Sequence, residues 1–197
     1  MRVPARTSRR TWLAASAGLL GLVWLSGVEA ATVELPVNRQ AKLISKLASY
    51  DRNFKARAGD VARILVVYKD SDVDSERTAQ LMLAELGRRS KVGGLPHTEE
   101  RESYRGASWL ESRVVEGGLA IVYLCPGLES EMETVAEALT GKDVMTIGSR
   151  AGYAERRAVV SFDLVSGKPK LIVNLPQAKR QNVKFSARLL KLAEVIR

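Results

Sequence analysis

The sequence predicts an α/β fold: a single, Rossmann-like domain whose mostly parallel sheet carries helices on both faces. Three apolar runs rich in β-branched residues, at 62–68, 119–125 and 143–148, support this prediction, because strands covered on both faces lack polar alternation. Segments with the apolar spacing of helices separate these runs, and strands that alternate with helices form parallel sheets. An antiparallel hairpin and a C-terminal helix are predicted to follow near the end of the chain.

The first half of the chain is predicted to form a helix, a strand and a second helix. Apolar residues at helical spacing predict a helix over 38–58, and the strand at 62–68 follows it. A further helix, capped within 71–75, is predicted to end at Gly87. Residues 91–101, KVGGLPHTEER, fit either a weak strand or a loop.

The second half of the chain continues this alternation and then changes its pattern. Its predicted elements are a helix at 108–116, a strand at 119–125, an acidic helix at 129–141, a strand at 143–148, a hairpin at 158–175 and a helix at 184–197. The hairpin is predicted to turn at 166–168, where serine and glycine separate two apolar runs. The C-terminal helix rests on an apolar stripe that runs from Leu189 to Ile196.

The first thirty residues resemble a secretory signal rather than part of the domain. Arginines precede an apolar stretch at 12–25, and residues 28–30 supply the small side chains that signal peptidase needs, so cleavage is predicted after Ala30. SRRTWL, residues 8–13, resembles a twin-arginine export signal; a general secretory signal and an uncleaved anchor helix are the alternatives. The domain is therefore predicted to span 31–197 and to lie in the periplasm.

Charge and cysteine content exclude two kinds of function. The formal net charge of +9 is spread along the chain rather than clustered, which argues against a nucleic-acid partner. Attraction to anionic lipid heads or to an acidic protein stays open. Cys125 is the only cysteine, so no intramolecular disulfide can form. Because it lies within an apolar strand pattern, it is predicted to be a packed core residue.

No catalytic residue, metal site or cofactor is predicted. DSDVDSE, residues 70–76, imitates the start of a calcium loop, but Ser75 and Leu81 stand where such a loop needs glycine and glutamate. A solvated helix start is the preferred interpretation. The only histidine, His97, lacks the further ligands or the activated nucleophile that a metal site or a catalytic triad requires. Residues 49–54, SYDRNF, either line a groove or end a helix.

The glycine-containing segment GSRAGYAERR, residues 148–157, follows the third apolar run. In one interpretation its glycines and Arg150 cradle an anion; in the other the loop presents a recognition surface. The loops after Tyr68, Cys125 and Gly148 are predicted to lie together, because the carboxyl ends of parallel strands share one edge, where open α/β sheets bind ligands. The candidate partner- or ligand-binding residues are Gly148, Ser149, Arg150, Gly152, Tyr153, Arg156 and Arg157.

Short motifs in the last third of the chain carry a family resemblance. They are Thr146-Ile147-Gly148, Gly152-Tyr153, Val173-Asn174-Leu175, Ala178, Val183, Phe185-Ser186 and Leu189-Leu190-Lys191-Leu192-Ala193. With these motifs the chain resembles the YfiR (YfiR/HmsC-like) family of periplasmic regulators. The resemblance implies an α/β domain without enzymatic activity, which binds the periplasmic part of an inner-membrane signalling protein, typically a diguanylate cyclase, and restrains it. Lower cyclic-di-GMP output and less biofilm would follow.

Two alternatives to such a regulator stay open. One is a periplasmic small-molecule-binding protein that serves a sensor or a transporter, and a ligand-dependent rise in melting temperature would identify it. The other is an enzyme, which would need carboxylates such as Asp70, Asp72 and Asp163 to converge in one cleft. The sequence leaves the identity of the partner, the input signal and the formation of a homodimer open.

Overall fold

The computed structural model describes residues 34–197. The predicted signal peptide and its cleavage site after Ala30 lie outside the described residues. The helices within this part are α1 (Val37–Leu47), α2 (Phe54–Ala58), α3 (Val73–Gly87), α4 (Ala107–Gly117), α5 (Met132–Ala138), α6 (Gly152–Glu155), α7 (Leu175–Arg180) and α8 (Ala187–Leu190). The strands are β1 (Ala62–Tyr68), β2 (His97–Ser103), β3 (Ile121–Leu124), β4 (Met145–Gly148), β5 (Val160–Val165), β6 (Lys168–Asn174) and β7 (Glu194–Ile196).

The strands of the described residues form one sheet in the order β2-β1-β3-β4-β5-β6-β7. Strands β1 to β5 are parallel to one another, β6 is antiparallel to β5, and β7 is parallel to β6. The strand order turns at β1, because β2 lies on one side of it and β3 on the other. In open α/β sheets, ligands bind beyond the carboxyl ends of the strands at such a turning point.

Helices cover both faces of the sheet, which confirms the predicted α/β fold. Ile64 and Val66 of β1 face a cluster that includes α1, α2 and α3, whereas Leu65 and Val67 face a cluster that includes α4 and α5. Successive side chains of a strand point to opposite faces, so a strand with helices on both sides must be apolar throughout. Within residues 34–197, no helix is both long enough and apolar enough to cross a bilayer.

The ambiguous segment at 91–101 contributes a strand, because β2 pairs in parallel with β1. Its polar composition fits its place at the edge of the sheet, where one side is uncovered. The imidazole of His97 is engaged on both nitrogens: Nδ1 lies 2.9 Å from Glu99 Oε2, and Nε2 lies 2.9 Å from the Arg89 carbonyl. This histidine therefore holds β2 against the end of α3.

The helix predicted over 38–58 is interrupted, which corrects that prediction. The chain forms α1, a 3₁₀ turn at Ala48–Tyr50 and then α2. Asp51 adopts an extended conformation at the interruption and forms a β-bridge with Phe185. Tertiary contacts of a buried carboxylate outweigh the helical spacing of the apolar residues at this point.

The predicted hairpin is confirmed, because β5 and β6 pair antiparallel from Val160 to Val165. Ser166 (φ 50°) and Gly167 (φ 73°) form its turn; two positive φ values are the mark of a type I′ turn, whose twist matches that of the strands. The hairpin does not form the edge of the sheet, since β7 pairs with the outer side of β6.

The C-terminal helix is much shorter than the predicted 184–197. It covers only Ala187–Leu190, and Glu194–Ile196 then pairs with residues 172–174 of β6. Backbone hydrogen bonds to an otherwise open sheet edge outweigh helix propensity, which is a weak preference. As a result Leu192, a member of the predicted apolar stripe, is exposed.

Candidate functional site

The loops that follow β1, β3 and β4 meet at the carboxyl edge of the sheet, as the sequence predicted. Asp74 comes from the segment after β1, Glu129 from the segment after β3, and Arg150 from the loop after β4. The guanidinium of Arg150 contacts both of these carboxylates. The three loops therefore enclose the point at which the strand order turns, and they form the candidate site.

Arg150 is the centre of a four-residue ion-pair network. Its Nη2 lies 3.0 Å from Asp74 Oδ2, its Nη1 lies 3.0 Å from Glu129 Oε1, and its Nε lies 2.6 Å from Glu34 Oε1. Burial alone would lower the pKa of Arg150, but the carboxylates of Glu34 and Glu129 outweigh burial and raise it. Because three carboxylates already surround this guanidinium, the edge repels a further anion rather than attracting one.

Gly148 and Tyr153 pack against each other beneath this network. A Cβ at Gly148 would lie 2.2 Å from Tyr153 Cβ, so only glycine allows this approach. The buried Tyr153 hydroxyl donates to the Cys125 carbonyl at 2.8 Å and accepts from the Leu128 N–H at 3.1 Å. Burial raises the pKa of Tyr153. These two predicted site residues therefore position the loop after β3 and do not present a surface.

The remaining members of the predicted set differ in exposure. Gly152 begins α6, and nothing lies within 4 Å of a Cβ placed on it, so it makes no close approach. Arg156 is exposed, and its Nη1 donates to the Glu129 carbonyl at 3.2 Å. Arg157 has a left-handed φ of 73°, and its Nη1 lies 3.3 Å from Glu137 Oε1. The exposed residues of this segment are Glu155 and Arg156, whereas Arg150 and Arg157 are half-buried.

A cleft of about 200 Å³ opens beside the network, between the start of α1 and the start of α3. We call it the edge cleft; its lining residues are Glu34, Leu35, Pro36, Val37, Gln40, Asp74, Arg77, Thr78, Leu81, Pro126 and Ser149. Ser149 is only 2% exposed, and its hydroxyl has no hydrogen-bond partner among the described residues. Burying a hydroxyl without a hydrogen bond costs free energy. A ligand in the cleft that hydrogen-bonds to Ser149 would remove this cost.

Gln40, by contrast, is fully occupied at the floor of the edge cleft. Its Nε2 donates to the Leu35 carbonyl at 2.7 Å and to the Ser149 carbonyl at 3.2 Å, and its Oε1 accepts from the Tyr123 hydroxyl at 2.8 Å. Gln40 therefore ties α1 to β3 and to the end of β4. Sequence reasoning missed Gln40 and Glu34, because neither belongs to a motif and both reach the site only through the position of α1.

The carboxylates weighed for metal binding or catalysis lie apart in the structure: Asp70 is exposed after β1, and Asp72 and Asp163 have structural positions. Asp72 caps α3, since its Oδ1 accepts from the Ser75 N–H at 3.0 Å. Asp163 lies opposite Lys170 in the hairpin. Within residues 34–197, no group of three or more His, Cys, Asp and Glu side chains is placed to hold a metal ion. Cys125 is buried, and burial first, then Asp74, raise the pKa of its thiol.

Comparison with a family model places most of the chain in a known group. The model of the YfiR/HmsC-like family matches residues 38–194, which include strands β1 to β6, the first residue of β7 and the helices on both faces of the sheet. A comparison with curated proteins gave no match. The match extends well beyond the last third of the chain, where the motifs carried the resemblance.

Solved structures share the fold at low sequence identity. A conserved domain protein from Vibrio cholerae aligns with TM-score 0.55 and 15% identity, over 82% of this chain and 60% of that one. The ABC domain from Streptococcus pneumoniae in complex with L-Trp gives 0.58 and 15%, over 82% and 62%. A ligand-free, open substrate-binding protein with adhesive properties from Clostridium difficile gives 0.58 and 13%, over 83% and 60%. The chain spans about three fifths of the length of each, and identities this low establish the fold alone.

Proposed function

The chain belongs to the YfiR/HmsC-like family, a family of periplasmic regulatory proteins, and from that premise we propose that it binds the periplasmic part of an inner-membrane signalling protein and restrains it. The observation that carries the proposal is the family match over residues 38–194. The family is non-catalytic. The charged side chains at the carboxyl edge of this chain form ion pairs with one another rather than an acid–base arrangement. The function that fits is recognition without chemistry.

The docking surface that we propose is the outer side of the segment from Gly148 to Arg157. Arg156 donates to the backbone carbonyl of Glu129, whose carboxylate pairs with Arg150, and Arg157 pairs with the carboxylate of Glu137. Positive and negative groups therefore alternate over a short distance. Such a mosaic suits a protein partner, because complementary charges select the partner and fix its register. A lone anion would find no uncompensated guanidinium at Arg150.

The finer part of the proposal is that the restrained protein is a diguanylate cyclase. In that case loss of this chain raises cyclic-di-GMP and biofilm formation in the source organism, and plasmid-borne protein restores both. If deletion of the gene leaves cyclic-di-GMP unchanged while the chain still binds a membrane signalling protein, the partner belongs to another class, such as a sensor kinase.

The docking surface can be tested without disturbing the ion-pair network. Arg150 stays unchanged in this test, because it holds three segments together. We expect the double variant Arg156→Glu, Arg157→Glu to melt near the wild-type temperature and to lose at least about tenfold in partner affinity, since reversed charges at an interface leave like charges juxtaposed. Affinity would be measured with the purified periplasmic domain of the partner.

The matched control is Arg52→Glu, Lys55→Glu. Both residues are exposed cations near α2, which precedes β1 and so lies at the opposite edge of the sheet. This control should bind as the wild type does. Equal partner affinity for the control and for the Arg156, Arg157 variant would show that the docking surface lies elsewhere.

A second function is favoured by one observation, the unpartnered hydroxyl of Ser149 in the edge cleft. In this alternative a small molecule offers a polar group to Ser149 and an apolar part to Leu35 and Pro126. A thermal-shift screen of small polar metabolites tests it, because a ligand that binds only the native state raises its melting temperature. Ser149→Ala should abolish the shift while the free variant stays as stable as the wild type.

A further inference from the structure

A second concave surface lies away from the carboxyl edge, between α1, the hairpin and α8. It is an apolar groove of about 250 Å³. Apart from Lys46 and Leu47, its lining residues are Leu43, Tyr50, Pro169, Leu171, Leu189 and Leu192. Leu192 is 73% exposed and stands at the rim of this groove. Leu192 and the apolar groove beside it form one continuous apolar surface, and surfaces of this kind mark contact sites for proteins or membranes.

Exposed cations flank this groove on two sides. Arg39, Lys42 and Lys46 follow one another on α1 at the spacing of a single helix face, and α1 contains no aspartate or glutamate. Arg188 and Lys191 flank Leu189 and Leu192 on the other side, and all five cations are exposed. We call the groove with these five residues the basic groove.

None of the five cations forms an ion pair among the described residues. The carboxylate nearest in sequence to Leu192 is that of Glu194, which pairs with Lys170 instead. The basic groove therefore presents uncompensated positive charge around an apolar centre. Its partner must be negatively charged at the rim and apolar in the middle.

We propose that the basic groove docks on an anionic phospholipid bilayer, with Leu192 entering the acyl boundary and the five cations among the headgroups. Basic residues around an exposed aliphatic anchor are the arrangement by which proteins bind the membrane interface. The long stems of lysine and arginine let their charges reach headgroups while the apolar parts stay near the groove. An acidic peptide fits less well, because a groove lined mainly by aliphatic side chains and proline offers few partners for main-chain hydrogen bonds.

This inference does not rest on the partner proposed above, because the basic groove and the segment 148–157 use different residues. Membrane binding would nevertheless favour the encounter with that partner. A periplasmic regulator held at the bilayer surface meets a membrane-anchored partner by diffusion in two dimensions, at a raised effective concentration.

Vesicle binding tests the proposal with the exported, tag-free protein. The wild type should sediment with phosphatidylcholine vesicles that contain phosphatidylglycerol, and hardly with phosphatidylcholine alone. Binding should weaken as NaCl is raised, because salt screens exposed charges. Lys42→Glu, Lys46→Glu should weaken binding by at least about fivefold for each lysine, and Leu192→Ser should weaken it at unchanged melting temperature.

The controls are Arg52→Glu, Lys55→Glu for charge and Val115→Ser for apolar exposure, since Val115 on α4 is 61% exposed on the other face of the sheet. Neither should change vesicle binding. A labelled thiol gives a second measurement: Cys125 is buried, so an environment-sensitive dye attaches selectively to Leu192→Cys. Its emission should shift to the blue with anionic vesicles, and the same dye on Val115→Cys should not respond.

Three results would overturn the proposal. One is equal binding to neutral and anionic vesicles, and another is binding that the Lys42, Lys46 and Leu192 variants leave unchanged. The third is the absence of vesicle binding by folded protein; if that protein binds polyglutamate through the same residues, the basic groove is assigned to an acidic peptide.

Discussion

Two arginines at opposite edges of the sheet each form ion pairs with several segments, but they differ in their surroundings. Arg57 lies at the amino edge, where its Nη1 is 2.7 Å from Asp51 Oδ2, its Nε is 2.7 Å from Asp143 Oδ1, and its Nη2 donates to the Asn182 carbonyl at 3.0 Å. Arg150 lies at the carboxyl edge with three carboxylates around it. Each guanidinium joins segments that are far apart in the sequence, and we call the two networks the amino-edge clamp and the carboxyl-edge clamp.

The two clamps differ in burial. The side chain of Arg57 is 1% exposed and that of Asp51 is 0% exposed, whereas the side chain of Arg150 is 38% exposed. A buried pair is fixed, because separating it leaves an uncompensated charge in a low dielectric. A solvated pair exchanges its contacts with water at little cost. The contacts of the amino edge are therefore fixed, whereas those of the carboxyl edge can exchange.

The largest expected effect follows from breaking the amino-edge clamp. Arg57→Met leaves the buried carboxylate of Asp51 without its cation, and removing one partner of a buried ion pair costs about 3–5 kcal/mol. Urea unfolding of the purified protein would measure this loss. A decrease no larger than that of Arg150→Met would contradict the difference between the two clamps.

An intermediate effect is expected at the glycines of the carboxyl edge. Gly148→Ala forces a Cβ into Tyr153, with Cβ atoms 2.2 Å apart in the present geometry, and overpacking of this kind costs about 1–3 kcal/mol. Gly152→Ala is the matched control, since nothing lies within 4 Å of its Cβ position; at such a site the change stabilises by up to about 1 kcal/mol. Thermal unfolding compares the two, and equal melting temperatures would show that the packing of Gly148 on Tyr153 is not needed.

The smallest effect on global stability is expected from Arg150→Ala. Exposed ion pairs contribute about 0–1 kcal/mol each, and this contribution should nearly vanish in about 1 M salt, where the Debye length falls to about 3 Å. The effect of Arg57→Met, by contrast, should persist in high salt. Urea unfolding at low and high salt compares the two variants directly.

Cys125 reports local opening of the carboxyl edge in the same variant. Its carbonyl accepts from Tyr153 beneath the clamp, and burial raises the pKa of its thiol, so the folded protein holds an unreactive thiol at pH 8. Arg150→Ala should label faster with a thiol reagent than its small loss of global stability explains. Labelling at the wild-type rate would mean that the edge stays closed without the clamp.

Much of the fold was predictable because its strands are covered on both faces. The runs at 62–68 and 119–125 could only be interior strands, and the hairpin followed from Ser166-Gly167 between apolar segments. The misses have one physical cause, which is tertiary contact that outweighs local spacing. Asp51 interrupts a helical pattern because its carboxylate is buried against Arg57, and 194–196 forms a strand because β6 has an open side.

The position of the candidate site at the carboxyl edge was predictable, but the side chains that it exposes were not. Parallel strands bring the loops after β1, β3 and β4 to one edge whatever their sequences are, so the location followed from the fold. Which groups face solvent there did not follow, because it depends on long-range contacts. Tyr153 belongs to the core, and Arg150 is compensated by Glu34, which lies 116 positions earlier in the chain.

The most direct test of the proposed function is capture of the partner in the source organism. The full chain, tagged after Arg197 and crosslinked in living cells, would be recovered from membrane extracts and its bound proteins identified by mass spectrometry. The account predicts one inner-membrane protein that has both a periplasmic domain and a cytoplasmic signalling domain, retained by the Arg52, Lys55 variant and lost from the Arg156, Arg157 variant. If folded wild-type protein recovers no such membrane protein, the regulatory role that we propose is wrong.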